Sequence, residues 1–159
     1  MLRLTQLCFL VVFSAGSAAA QQRGLGVFGV WGAFQDPQRC YAIAQPIESS
    51  IRGTRPFASI AFWGRGTRGQ VHLRLSGEKR AESAIIVRLD GRTFQLTGRG
   101  WDAWATDARA DAELITAMRT GVDMVVESRS VRGGLVRDRY ALRGAPSAID
   151  AAAVACARG

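Results

Sequence analysis

The chain has 159 residues, a formal charge of +8 and a single histidine. Twenty of its 21 basic residues are arginine, and it has no asparagine. The length allows one ordinary domain. The absence of asparagine excludes N-glycosylation, and a lone histidine without a dense carboxylate cluster speaks against a catalytic metal site. The basic balance suits a polyanion partner. The abundance of Ala and Gly beside Arg also has the look of GC-rich coding, which lowers the weight of that reading.

Residues 1–20, "MLRLTQLCFLVVFSAGSAAA", have the pattern of a cleavable leader. Arg3 is the positive start, Leu7 to Phe13 the apolar run, and Ala18 and Ala20 the small residues before a cut. The run is far short of the roughly 20 residues of a membrane span. Cys8 precedes the apolar core rather than following it, so lipidation there is disfavoured. An exported chain starting at Gln21 is expected, periplasmic or secreted, with residues 21–25 as a loose end and 26–159 as one β-rich domain. Two cysteines remain, Cys40 and Cys156. An even count in an oxidising compartment points to one disulfide; two free thiols or a metal pair are the alternatives.

Alternation with a period of two dominates the middle of the chain. "GVFGVWGAF" (26–34), "CYAIAQ" (40–45) and "FASIAFW" (57–63) are candidate strands. In "QVHLRLS" (70–76), Val71, Leu73 and Leu75 point one way and His72 and Arg74 the other. "SAIIVRL" (83–89) and "RTFQLTG" (92–98) flank Asp90-Gly91, a short hairpin signal. "VDMVVESRS" (122–130) and "LVRDRYALRG" (135–144) form a second hairpin around Gly133-Gly134. About eight short strands predict an antiparallel β-sandwich or barrel-like domain. Two helices interrupt it, over 107–121 and 146–158. The first has early acids and Gly121 after its end; in the second, Ser147 and Asp150 have capping-box spacing.

Few residues suggest chemistry. "GLGVFG" (24–29) matches a dinucleotide pattern but leads into a strand, so a glycine-eased edge strand is the expected role and no cofactor is predicted. His72 would serve any hydrolase built with Ser59 or Ser128, yet its outward position beside Arg74 predicts a solvated surface side chain. Trp101 and Trp104, with Asp102 and Asp107, are either an aromatic sugar platform or a loop whose rings plug the core, and the second is favoured. Arg65, Arg68, Arg132, Arg137 and Arg139 would make a polyanion rim if gathered, for lipopolysaccharide phosphates or nucleic acid. Scattered charge paired with Asp138 or Glu127 is the alternative, and the favoured one.

The order of features resembles the invasion-associated locus B family of exported bacterial proteins. A tryptophan-bearing first strand precedes "RCYAIAQ". A later run, "ELITAMRTGVDMVVESRSVRGGLVRDRYALRGAPSAIDAA", gives helix, "MRTG", strand, glycine turn, strand, "YALRG" and an alanine-rich helix. Trp31, Cys40, Gln45, Met118, Gly121, Leu142 and Gly144 carry the resemblance. Phe34 stands where the family often has a cysteine, and Trp101 and Trp104 occupy the region of its mid-chain cysteine pair. The resemblance implies a small exported β-rich protein from a family with some members linked to host-cell invasion; the expected function is non-catalytic binding of an envelope or host component, with a polyanion-binding module or a small hydrolase as alternatives.

Overall fold

The computed structural model describes residues 22–64 and 68–158. The expected leader lies outside them. The strands are β1 (Arg23–Phe28), β2 (Trp31–Gln35), β3 (Arg39–Ala44), β4 (Glu48–Ser49), β5 (Phe57–Trp63), β6 (Gln70–Lys79), β7 (Ile85–Leu89), β8 (Arg92–Trp104), β9 (Asp123–Arg129) and β10 (Leu135–Ala141). Helices α1 (Ala108–Thr120) and α2 (Ala145–Ala157) complete the domain. The strands pair antiparallel in one ten-stranded sheet, ordered β1-β2-β3-β5-β6-β8-β7-β9-β10-β4.

The expected first strand over 26–34 is a hairpin instead, and it begins earlier. Residues 23–25, expected as a loose end, belong to β1. Gly29 turns the chain at φ +61, where a side chain would be strained. The motif "GLGVFG" thus forms the edge strand and its turn, with a register shift between Gly24 and Gly26.

β8 bends the sheet into a sandwich-like fold. Its first residues pair with β7 and its last with β6. Gly98 makes the bend possible, because a Cβ there would collide with the Asp102 carbonyl oxygen and lie 2.8 Å from the Ala103 Cα. The two halves of the sheet then meet. Ser76 N donates to the buried Asp138 Oδ2 at 2.9 Å, and Gly77 lies against Ile51 and Val136. Val71, Leu73 and Leu75 of β6 join Ile85, Val87, Val126, Val136 and Tyr140 in one buried core. The alternation expected for β6 is therefore the alternation between core and outer face.

Both helices pack on the core side. α1 is capped by Asp107, whose side chain accepts from Ala110 N at 2.8 Å. Asp111, in its first turn, accepts from Val71 N at 2.7 Å and so ties α1 to β6. Burial pushes the Asp111 carboxyl above its ordinary value, against the pull of that amide bond. The capping box expected at Ser147 and Asp150 does not form. The helix starts earlier, at Ala145, Gly144 is its N-cap without a side-chain bond, and Asp150 instead receives Arg119 at 2.5 Å. α2 lays Ala148, Ile149 and Ala152 over β2 and β3, where Cys40, Ala42 and Ala44 form a small-residue face. Cys40 and Cys156 are joined by a disulfide with Cα atoms 5.6 Å apart. No helix among the described residues is long and apolar enough to cross a membrane.

Candidate functional site

The face of β2, β3, β5, β6 and β8 turned away from α2 gathers a set of half-buried aromatic side chains. Register places Ile43, Ser59, His72 and Trp104 in one row across β3, β5, β6 and β8. Phe57, Arg74 and Asp102 form the adjacent row, and Phe34, Tyr41 and Ala61 another. Alternation sends all of them outward, because their neighbours Ala42, Ile60, Val71, Leu73 and Ala103 fill the core.

His72 is the centre of this face. Its ring stacks on Trp104 with centroids 5.1 Å apart and planes 5° from parallel. Phe57 meets it edge-on at 5.2 Å. His72 Nε2 lies 2.8 Å from Asp102 Oδ1, and Arg74 reaches the same carboxylate at 3.4 Å. The Arg74 guanidinium also stands 5.9 Å over the Trp101 ring. His72 and Asp102 keep 30% and 28% of their side chains exposed, so the cluster is packed yet open to solvent. Across the face, Phe34 and Tyr41 lie 5.7 Å apart, and Arg39 stands 4.9 Å over the tyrosine ring. The small residues Ser59 and Ala61 sit low between the two aromatic groups.

Two sequence expectations are corrected here. His72 is outward but is not a freely solvated side chain, because two aromatic neighbours and a carboxylate hold it. The stretch with Trp101 and Trp104 is not a loop but the end of β8, and both rings are half-buried. Strand register alone brings Trp104 beside His72, from 32 residues away. Phe57, Arg74 and Asp102 escaped the sequence reading as a group. The available signal was parity, since each lies an even number of residues from an outward partner on its own strand.

The hydrolase residues are placed differently. Ser59 shares the outer face with His72, but no hydroxyl among the described residues bonds to the imidazole. Ser128 lies in the other half of the sheet, buried, 3.3 Å from the Ser83 hydroxyl. The five arginines are divided. Arg65 lies outside the described residues. Arg68 lines a groove against α1 with Arg109 and Arg119. Arg132 is in the β9–β10 turn. Arg137 pairs with Glu127 at 3.6 Å, and Arg139 pairs with Asp123 at 2.8 Å and Glu48 at 3.7 Å. Asp138, expected as a surface partner, is buried and takes a backbone amide instead. Among the described residues no group of three or more His, Cys, Asp or Glu side chains gathers as a metal site would.

The fold and this face define a class, a disulfide-bonded antiparallel β domain with a cluster of aromatic side chains on the outer face of its sheet. Comparison with known proteins narrows it no further: no family model, no curated protein and no solved structure matches the chain.

Proposed function

We propose that this chain is an exported, non-enzymatic envelope or secreted protein of the invasion-associated locus B type, acting by binding through the aromatic face of its sheet. The observation that carries the binding role is the His72–Trp104 stack, tied to Asp102 on the face opposite the helices. Stacked rings beside a carboxylate and a guanidinium suit the apolar face of a sugar with hydroxyls at its rim. A ring would lie against Trp104, while Asp102 accepts and Arg74 donates. No hydroxyl among the described residues bonds to the imidazole, and its ring face is covered by Trp104, which suits a fixed wall better than a nucleophile-activating base. The disulfide supports an oxidising compartment, and the leader-like residues 1–20 support export. The family type and any invasion role rest on the residue resemblance alone.

The test is titration of envelope saccharides, peptidoglycan fragments and lipopolysaccharide core among them, followed by tryptophan fluorescence. One saccharide class is expected to bind, and Trp104→Ala to weaken it about tenfold or more, which is roughly 1.4 kcal/mol. His72→Gln serves as the milder variant if Trp104→Ala lowers stability. Affinity unchanged in both variants, or no saccharide bound, refutes the reading.

A further inference from the structure

The connection from β3 to β5 wraps a groove of about 780 Å³, separate from the aromatic face. Its lining carries two arginines and one carboxylate. Arg52 and Arg55 line it, both are exposed, and neither forms an ion pair among the described residues. This sets them apart from Arg137 and Arg139, which face carboxylates. The backbone N–H groups of residues 51–55 make no hydrogen bond among the described residues. The hydroxyl oxygens of Ser49 and Thr54, in the same walls, are buried without a partner. The carboxylate in the lining, Glu48, stands 3.7 Å from Arg139 and keeps 71% of its side chain exposed.

The loop is also held in place. Ile47 N donates to Arg139 O at 2.7 Å, Ser50 N to Arg137 O at 2.9 Å, and Arg137 N to Ser50 Oγ at 2.8 Å. Pro46 and Pro56 stiffen its two ends, and Gly53 reverses the chain at φ +82. A loop pinned at Ile47 and Ser50, with two guanidiniums that pair with no carboxylate among the described residues, is a concave cationic surface of the kind that receives oxyanions.

We propose that this groove binds the oxyanion of a phosphate or sulfate group, held by Arg52, Arg55 and the backbone amides of the loop. Arginine suits the role because its planar fork meets two oxygens at once. The arginines that stand out in the sequence, Arg65, Arg68, Arg132, Arg137 and Arg139, are not among the lining residues. Pro56 in the groove wall is joined to Phe57 of the aromatic face, so the two surfaces adjoin. The oxyanion site nevertheless stands whether or not that face binds a sugar.

The experiment titrates the purified protein at low salt with pyrophosphate and, in parallel, with phosphatidylglycerol vesicles against phosphatidylcholine vesicles. Arg52→Gln with Arg55→Gln is compared with Arg68→Gln plus Arg132→Gln, which removes the same charge elsewhere. Saturable binding is expected, at least tenfold weaker in the first double variant and changed less than twofold in the second. Pyrophosphate binding assigns a soluble or saccharide-borne phosphate; binding to phosphatidylglycerol vesicles alone assigns a lipid headgroup. Equal losses in both double variants would reduce the effect to net charge and overturn the site. So would the absence of saturable binding in both arms. Arg52 and Arg55 are exposed and form no ion pair among the described residues, so thermal melts of the first double variant should match the parent.

Discussion

Opening the Cys40–Cys156 bond should lower the stability of the fold substantially. The bond links positions 116 apart in sequence, and the chain-entropy relation then gives a stabilisation of about 4.9 kcal/mol at 25 °C. For a domain of this size each kcal/mol moves the melting temperature by roughly 2–4 °C, so a fall of about 10–20 °C is expected. Cys40 is fully buried and Cys156 nearly so, and alanine is the right replacement because serine would add a buried hydroxyl. Thermal unfolding followed by circular dichroism, for Cys40→Ala, Cys156→Ala and the double variant, reads the effect. Either single change already opens the bond, so the three variants should melt within a few degrees of one another. The parent treated with reductant should melt with them. A fall below about 4 °C, or single effects that simply add, would refute the view that the bond acts by restricting the unfolded chain.

Two further outcomes follow from the packing. Burial holds the Asp111 carboxyl above its ordinary 3.8, so the folded state binds that proton more tightly than the unfolded chain. Its contribution is therefore fullest below 3.8 and falls as pH rises through the folded value. Asp111→Asn keeps an acceptor for Val71 N and removes the titration, so its stability relative to the parent should improve as pH rises from about 3 to 6. Melts showing the reverse trend would contradict the burial argument. Gly144→Ala should destabilise by at least ~2 kcal/mol, because φ is +96 and a Cβ would collide with the Phe28 carbonyl oxygen. Denaturant unfolding of that variant with an unchanged midpoint would show that the β1–β2 turn can move aside.

Much of the β framework is legible in the sequence because alternation is a local property. Val71, Leu73 and Leu75 against His72 and Arg74 already give the two faces of β6, and Asp90-Gly91 gives the turn between β7 and β8. The boundaries that fail are those governed by neighbours. Gly98 looks like the end of a strand, yet it is the point where β8 bends and continues to Trp104, since the absent side chain lets the backbone approach Asp102 and Ala103. Ser147 and Asp150 have cap spacing, but Gly144, tucked against the β1–β2 turn, starts the helix sooner.

The candidate sites divide in the same way. Composition and order alone marked Cys40 and Cys156 as the available pair, and a single histidine as the hub of any imidazole chemistry. Residue spacing cannot show that β8 returns beside β6, so the contact of His72 with Trp104 and Asp102 is decided by sheet register. Nor does arginine count show which guanidiniums are neutralised. Arg137 and Arg139 look as basic as Arg52 and Arg55 in sequence. Cross-strand pairing places Glu127 and Asp123 beside the first two, while the others, on the β3–β5 loop, pair with no carboxylate among the described residues. Local periodicity determined which residues face outward; only the long-range pairing of strands decided which outward residues meet.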